Sequence, residues 1–264
     1  MWTAHKLFFL CHYLVQVSQA MYANAKYPNG LTYIDLFAGS GACNVRDDDN
    51  IVRRYPGSAL IAASLREKPF SRLVLVDESA QNLEALKTRI QRTGFAGGLL
   101  TWNGDVNHIV AKVADAIPDK ALNVAFVDPY SLDVHFSTIR QLARTRPLDL
   151  IILFSDRIDL GRNVHKTYFE QVQSKLDEFL GDGCDWRAKL GALSDQSGPK
   201  VRRLFADIYR AELSKIGYRY TQDWPLNGPQ GPMFRLVFAS KHPLGLKFCD
   251  IALKEDFGGE QRLF

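Results

Sequence analysis

The sequence has 264 residues, of which 46% are hydrophobic and 23% are charged, which is the composition of an ordinary globular protein. The formal net charge of +4 neither requires nor excludes a nucleic-acid partner, because a local basic face matters more than the total. The four cysteines are scattered, with no C-x-x-C pair, which favours reduced thiols in a cytoplasmic protein over a disulfide framework or a zinc site.

The first segment is apolar at helical spacing. Lys6 and the apolar run after it resemble the start of a signal peptide, but His12 and Gln16 interrupt that run. No run is long enough to span a bilayer. We therefore expect an amphipathic helix over residues 3–24, capped by Thr3 and packed on the domain. Its predicted inner face consists of Leu7, Leu10, Cys11, Leu14, Val17 and Met21.

Five apolar strands, each a short and nearly continuous apolar run, alternate with helices after this first helix. The predicted strands are Thr32–Leu36, Arg72–Asp77, Gly97–Trp102, Leu122–Val127 and Leu148–Phe154. The predicted helices between them cover residues 58–66, 79–93, 109–117 and 134–145. This alternation predicts an α/β fold with a doubly wound, mostly parallel, Rossmann-like sheet.

The stretch between the first strand and the next helix is polar and rich in turn residues. It contains an acidic cluster at 47–50, which lacks the spacing of a calcium loop. We therefore expect an exposed loop up to Gly57, after which Ser58 caps the helix.

The pattern changes after the fifth strand. Two longer helices and a final helix are predicted over residues 163–180, 197–215 and 244–254. Tyr218–Tyr220 and Phe234–Phe238 are predicted strands joined by a Pro/Gly-rich loop at 225–232, which indicates an antiparallel terminal hairpin in a seven-stranded sheet. The chain therefore reads as one domain over 1–264, with an N-terminal helix at 1–25 and a helical insertion at 157–215.

Acidic residues follow four of the five strands, at Asp35, Asp77, Asp105 and Asp128. In a parallel sheet they would all project from the same edge. Asp77 is placed to accept hydrogen bonds from ribose hydroxyls, and Asp105 from an exocyclic adenine amine. The turn after Asp35 holds two glycines that let a ligand approach the backbone. The predicted cofactor-binding residues are Asp35, Phe37, Ala38, Gly39, Ser40, Gly41, Asp77, Asp105, Val106 and Asp128.

These motifs resemble those of class I S-adenosylmethionine-dependent methyltransferases, which implies S-adenosylmethionine as the cofactor. A dinucleotide-binding protein is less well matched, because the loop lacks a third glycine three residues on. Asp77 also lies much further from the loop than the about 20 residues expected there.

The whole chain resembles the three-Cys-motif partner protein family more closely. This resemblance implies a methyltransferase-like fold and association with a protein that carries a three-cysteine motif. The matching stretches extend over nearly the full length and are Trp2–Thr3, Lys6–Leu7, Tyr33–Gly41, Pro56–Ser58, Val127–Phe136, Leu148–Phe154, Ser240–His242 and Gln261–Phe264.

Asp128, Pro129 and Tyr130 are the predicted catalytic residues. They resemble the Asp/Asn-Pro-Pro-Tyr/Phe loop of enzymes that methylate exocyclic amines of bases, with one proline instead of two. The resemblance implies that the acid and the proline carbonyl accept hydrogen bonds from the amine while the aromatic ring stacks on the base. A turn that merely follows a buried strand is the alternative.

Several basic residues could form a nucleic-acid face, with Tyr168, Trp186 and Tyr209 interleaved between them. The basic residues are Arg157, Arg162, Lys166, Lys200, Arg202 and Arg203. Solvated helix faces are the simpler interpretation. The histidines lack ligand spacing, so we expect no metal.

Two hypotheses follow. The first is a cytoplasmic enzyme that methylates an exocyclic amine of a nucleobase in DNA or RNA, with nucleic acid as substrate. The second is a non-catalytic or partner-dependent binding subunit of a three-Cys-motif protein.

Overall fold

A computed structural model describes residues 2–46, 51–144, 147–155, 164, 167–181, 183–228 and 231–254. In chain order, the helices and strands are α1 (Trp2–Met21), β1 (Leu31–Asp35), β2 (Ala42–Arg46), β3 (Val52–Pro56), α2 (Ser58–Ala63), β4 (Arg72–Asp77), α3 (Ala80–Thr93), β5 (Gly98–Asn103), α4 (Val106–Asp115), β6 (Leu122–Val127), α5 (Phe136–Leu142), β7 (Leu148–Phe154), α6 (Lys175–Leu180), α7 (Trp186–Gly191), α8 (Gly198–Lys215), β8 (Tyr220–Gly228), β9 (Gly231–Ser240) and α9 (Pro243–Lys254).

Seven strands form one sheet in the order β5-β4-β1-β6-β7-β9-β8. The first five are parallel, whereas β9 runs antiparallel to both β7 and β8. The predicted fold class is therefore confirmed: a doubly wound, mostly parallel sheet that ends in an antiparallel hairpin. The edge strand β8 contains Pro225, which is tolerated there because an edge strand leaves one row of backbone groups unpaired.

The sheet is covered on both faces, because successive residues of a strand point to opposite sides. In β1, for example, Tyr33 packs with the helices α1, α2 and α9. The next residue, Ile34, packs instead with α4 to α8. This alternation across a continuous apolar run explains why the central strands are buried on both faces.

Helix α1 packs as predicted through Leu7, Leu10, Leu14 and Val17. Its buried face is wider than the predicted stripe, since Lys6, Phe9 and Tyr13 are also buried. None of the described helices has the combination of length and apolar character needed to cross a membrane.

The predicted exposed loop before α2 is wrong in part. Residues on either side of 47–50 pair as the antiparallel strands β2 and β3, with Cys43 opposite Tyr55. Val52, Arg53 and Arg54 are exposed, so this ribbon lacks the apolar alternation that would have indicated a strand. The acidic cluster itself lies outside the described residues.

The predicted cap at Ser58 is also wrong. Gly57 occupies the N-cap position of α2, which ends at Ala63 and not near residue 66. The Ser58 hydroxyl donates instead to the carboxylate of Asp35, at 2.6 Å.

The region between β7 and β8 differs most from the prediction. Of the helix expected over residues 163–180, the described residues 164, 167 and 168 are π-helical. The α-helix α6 begins only at Lys175, where Ser174 and Asp177 form a capping box. Helix α7 was not predicted. The predicted surface aromatics Tyr168, Trp186 and Tyr209 lie instead in the core beneath α6–α8, with at most 6% of their surface exposed. Strands β8 and β9 extend through most of the predicted loop at 225–232.

Candidate active site

The four predicted acids lie along the carboxyl edge of four neighbouring strands. Asp35 and Asp77 are the last residues of β1 and β4, while Asp105 follows β5 and Asp128 follows β6. Since β5, β4, β1 and β6 are adjacent and parallel, the loops that carry these acids meet at one edge. Ligands of open α/β sheets bind at this edge.

The turn after β1 depends on its two glycines. Gly39 and Gly41 have φ of 60° and 80°, a conformation that disfavours other residues. A Cβ on Gly39 would meet no atom within 4 Å, so open space lies above this backbone. A Cβ on Gly41 would lie 2.6 Å from Leu86 Cδ1, and Gly41 also contacts Gly57 closely. One glycine therefore faces space, whereas the other is packed.

Asp35 lies beneath this turn and is fully buried. The hydroxyls of Tyr33 and Ser58 donate to its Oδ2 at 3.0 and 2.6 Å, and the Phe37 N–H donates to Oδ1 at 3.2 Å. Burial raises the pKa of Asp35 to about 6, although these hydrogen bonds oppose the shift. Asp35 therefore fixes the turn from below and presents no surface to a ligand.

Asp77 ties the β1 turn to the end of β4. Its Oδ2 accepts the Gly39 N–H at 2.8 Å, and its Oδ1 accepts the Ser79 N–H at 2.9 Å and the Asn82 amide at 3.0 Å. Each carboxylate oxygen can accept about two hydrogen bonds, so Oδ2 retains capacity for a ligand hydroxyl.

The remaining predicted residues of the turn are held by backbone bonds. The Ala38 N–H donates to the Val76 carbonyl at 2.8 Å. The Ser40 carbonyl accepts from the Arg89 guanidinium of α3. Ala38 is buried, whereas Phe37 and Ser40 are half-buried. These bonds hold the turn in place from neighbouring elements.

Asp105 caps α4 by accepting the Asn107 N–H at 2.8 Å, and Val106 packs in the core. Asn107 joins this loop to the loop after β6. Its amide donates to the Asp133 carbonyl at 2.8 Å and accepts from the His135 N–H at 3.0 Å. The loops after β5 and β6 are therefore connected directly.

Asp128 forms an ion pair with Lys6 of α1, through its Oδ2. Lys6 is 5% exposed, and its ammonium lies 5.9 Å from the centre of the Phe126 ring. Among the residues that the structure describes, no other donor reaches the Asp128 carboxylate, so Oδ1 remains available. The N-terminal helix thus contributes a buried cation to this edge of the sheet.

The two residues after Asp128 differ sharply in exposure. Pro129 is buried, whereas Tyr130 is 89% exposed. Ser131 follows with φ of 64°, which is uncommon for a residue other than glycine and often accompanies functional loops. This backbone turn presents the Tyr130 ring to solvent.

The predicted nucleic-acid face receives little support from the described part of α8 and its flank. Lys200 pairs with Asp195 at 2.8 Å and Arg203 with Asp207 at 3.0 Å, which lowers the local positive charge. Arg157, Arg162 and Lys166 lie outside the described residues.

Sequence reasoning missed Lys6, Arg89 and Asn107 as contributors to the site. Arg89 lies on a predicted helix and Asn107 in a predicted loop, and neither belongs to a recognisable motif. Lys6 enters the sequence patterns as the flank of an apolar run and in the Lys6–Leu7 stretch of the family resemblance, and neither points to Asp128. A lysine beside the buried stripe of an amphipathic helix was nevertheless a usable signal.

The strand order and the glycine turn at the carboxyl edge define a class I methyltransferase-like fold. No protein-family model matches the sequence, and no similar curated protein was found.

Several solved structures resemble this chain. A crystallised protein of Legionella pneumophila has a TM-score of 0.55 at 11% identity, covering 94% of this chain and 89% of that chain. An O-methyltransferase of Bacillus cereus in complex with SAH has a TM-score of 0.48 at 10% identity, covering 88% and 80%. TomG, an O-methyltransferase of Streptomyces achromogenes in complex with SAM, has a TM-score of 0.46 at 14% identity, covering 89% of this chain and 79% of that chain. The likeness to the Legionella protein, at 11% identity, concerns the fold alone, and the three-Cys-motif resemblance stays a prediction.

Proposed function

We propose that this protein is an S-adenosylmethionine-dependent methyltransferase acting on an exocyclic amine of a nucleobase in DNA or RNA. The observation that carries the proposal is the loop after β6. There, an almost fully exposed aromatic ring at Tyr130 follows the Asp128 carboxylate, whose Oδ1 accepts no hydrogen bond from the part of the chain that the structure describes. Bases stack on exposed aromatic rings, and an ionised carboxylate accepts hydrogen bonds from an amine.

The cofactor end of the site fits the proposal. Open space lies above Gly39, where a side chain would obstruct a bound molecule. Next to it, Asp77 Oδ2 can accept a ribose hydroxyl, and Asp105 lies on the adjoining loop. S-adenosylmethionine would supply the methyl group as an electrophilic sulfonium.

The residues of this chain would then orient the acceptor. Asp128 Oδ1 and the Pro129 carbonyl accept hydrogen bonds from the amine, which aims the nitrogen lone pair away from the loop. Tyr130 stacks on the base and fixes its plane. An aromatic amine is a weak nucleophile, so positioning and local electrostatics provide most of the acceleration. Asp128 or solvent takes the proton that the methylated nitrogen loses.

A base in a duplex must leave the stack to reach this loop. The exposed position of Tyr130 suits a flipped or single-stranded base, because the ring projects beyond the buried Pro129. Single-stranded substrates are therefore expected to react faster than duplexes.

The direct test incubates the full chain with radiolabelled S-adenosylmethionine and total host nucleic acid, with and without a three-Cys-motif protein. Labelled N-methyl bases in the digest are the expected result. Asp128→Ala should abolish the transfer while S-adenosylhomocysteine still binds in calorimetry. Turnover by Asp128→Ala at the unmutated rate would refute the assigned role.

Tyr130 offers a variant with little risk to folding, because its side chain is 89% exposed. Tyr130→Ala should lower kcat/KM about 10- to 100-fold, the range expected for loss of one stacked base. Tyr130→Trp should restore most of the activity. Equal activity of the Ala and Trp variants would exclude stacking.

A second candidate function is supported by the contact between Lys6 and Asp128. The ammonium already binds one oxygen of the proposed catalytic carboxylate. Together with the single proline, this favours a binding subunit that acts with a three-Cys-motif protein and does not itself methylate. Calorimetry with S-adenosylmethionine and S-adenosylhomocysteine distinguishes the two, because failure to bind either would eliminate the enzyme.

A further inference from the structure

Three arginines lie in a row along one flank of α3. Arg89 and Arg92 are three residues apart on that helix, so their side chains leave the same flank about 5–6 Å from each other. Arg66, in the segment after α2, donates to the Thr93 carbonyl at 3.4 Å and therefore lies beside the end of α3. Arg66 and Arg92 are exposed, and Arg89 is half-buried. We call these three residues the arginine stripe.

The arginine stripe begins at the candidate active site. The Arg89 guanidinium donates to the Ser40 carbonyl in the β1 turn. Helix α3 starts at the carboxyl edge of the sheet with Ala80, and Arg92 lies roughly 18 Å further along it at about 1.5 Å per residue. A chain molecule on the stripe would therefore extend from the glycine turn along the helix and away from the edge.

No carboxylate offsets the charge of the arginine stripe within the described residues. Arg66 and Arg89 bind backbone carbonyls there, and Arg92 forms no ion pair with that part of the chain. Glu84, the one acid of α3, lies about two turns before Arg92 and pairs with Lys87 at 2.8 Å. Residues 58–71 and 80–93 together contain five lysines and arginines, but Glu84 and Glu67 are their only acids.

The basic residues of α8 differ, because most of them pair with a carboxylate. Lys200 and Arg203 do so as described above, and Lys215 pairs with Glu212 at 2.6 Å. A neighbouring carboxylate cancels much of the field that a cation presents to an anionic partner. The uncompensated positive charge therefore lies on the arginine stripe and not on α8.

The end of α3 explains only part of this arrangement. A helix C-terminus favours cations, which accounts for Arg92 and for Arg66 beside Thr93. Arg89 lies about one turn earlier and binds a different element, the β1 turn. A guanidinium has five N–H groups and binds phosphate oxygens in pairs, so Arg89 keeps donors beyond the one given to Ser40. A row of such groups suits a ligand with repeated phosphates.

We propose that the arginine stripe binds the sugar–phosphate backbone of a single-stranded nucleic acid, beside the base that enters the candidate active site. This inference rests on the proposed function, because it takes nucleic acid as the substrate. Arg89 and Arg92 bind neighbouring phosphates, and Arg66 binds the phosphate that follows. These contacts hold the strand and give no base preference, since phosphate contacts position a nucleic acid without reading its sequence.

The test is fluorescence anisotropy of labelled single-stranded DNA and RNA of about 12 nucleotides, titrated with the full chain. Arg66→Gln/Arg92→Gln removes two charges from the stripe, and Lys200→Gln/Arg203→Gln removes two from α8 as the matched control. The first pair should weaken binding at least about tenfold, and the second less than about twofold. The slope of log K against log salt should fall by about 1.4 in the first pair, at about 0.7 per phosphate contact.

Three results would overturn the proposal. The first is equal weakening by the two pairs, and the second is no binding of either oligonucleotide by the unmutated chain. The third is displacement of the oligonucleotide by polyglutamate as readily as by unlabelled oligonucleotide at equal charge, which would assign the stripe to an acidic protein. Arg66→Lys/Arg92→Lys keeps both charges and should bind within about threefold of the unmutated chain.

Separate measurements distinguish this proposal from the proposed function and from a folding defect. The Arg66→Gln/Arg92→Gln chain should keep its S-adenosylhomocysteine affinity and lose at most about 1 kcal/mol of stability in urea, since both side chains lie at a helix end. Loss of oligonucleotide binding in this chain alone, without methyl transfer by the unmutated protein, would support the stripe and refute the enzyme. Methyl transfer to nucleic acid with an unchanged KM in the variant would do the reverse.

Discussion

Lys6 and Asp128 are 122 positions apart in the chain, yet the ammonium of the first binds the carboxylate of the second. Both side chains are largely withdrawn from water, with 6% and 24% of their surface exposed. The first helix is thereby attached to the loop that carries the proposed acceptor site. A cation so placed holds this loop against the first helix and offsets the charge of the Asp128 carboxylate.

This pair should contribute measurably to stability. Lys6→Met leaves the Asp128 carboxylate without its partner and should lower the free energy of unfolding by about 1–3 kcal/mol. The double variant Lys6→Met/Asp128→Asn should lose less than the sum of the two single losses, with a coupling of about 1 kcal/mol. Urea denaturation of the four proteins measures the cycle, and Lys6→Arg is the charge-preserving control. Strict additivity would show that the contact is not formed in solution.

Asp35 should make stability depend on pH in a defined direction. Its pKa rises from 3.8 in the unfolded chain to about 6 in the folded protein, mainly because of burial. Its stabilising contribution is therefore complete below about pH 4 and is lost as the pH rises through about 6. The lost amount approaches about 3 kcal/mol.

The comparison with Asp35→Asn isolates this effect. The unmutated chain should lose stability relative to this variant between pH 4 and 6, as measured by urea denaturation. Ser58→Ala removes a hydrogen bond that opposes the shift, so its transition should move to higher pH. Parallel pH profiles for the unmutated chain and Asp35→Asn would contradict the assignment.

The two glycines of the β1 turn should respond differently to alanine. Gly41→Ala places a Cβ against Leu86 and should lower the free energy of unfolding by about 1–3 kcal/mol. Gly39→Ala meets no atom and should cost only about 1 kcal/mol for its φ. However, it should weaken S-adenosylhomocysteine binding about tenfold or more, or about 1.4 kcal/mol. Thermal denaturation and calorimetry separate the two effects. Unweakened binding in Gly39→Ala would mean that the space above this residue is not the cofactor site.

Asp177 and Arg187 should hold the segment before α6 in place. Arg187 binds Asp177 and also donates to the Phe169, Tyr168 and Gln171 carbonyls. Burial raises the pKa of Asp177, but hydrogen bonds from Arg187 and Ser174 outweigh this and hold it well below its usual range. The stabilisation is therefore present above about pH 4 and is lost as the pH falls.

Asp177→Asn should release this segment. We expect faster limited proteolysis within 167–174 and a loss of about 1 kcal/mol, because the pair is partly exposed to solvent. Lys200→Met, which breaks an exposed ion pair elsewhere, is the matched control. Equal cleavage of both variants would show that Arg187 does not organise the segment.

Much of the sheet could be predicted because its signals are local. The apolar runs of β4, β6 and β7 are bounded by polar or turn residues, and their predicted limits match the structure. The helix over 80–93 buries Leu83, Leu86 and Ile90 as predicted, since their spacing defines one face. Where periodicity was weak, as in the ribbon around Cys43 and Tyr55, the prediction failed.

The sequence by itself determined which acids would share an edge. Strands with a common direction end on the same side, so the sequence alone groups Asp35, Asp77, Asp105 and Asp128. It could not determine how each carboxylate is used, because that depends on contacts between segments far apart in the chain. The packing of the helices on the sheet buries Asp35 beneath the glycine turn and brings Lys6 of the first helix into contact with Asp128. Only the tertiary structure decided these positions, because contacts between a helix and a distant loop leave no local pattern in the sequence of either segment.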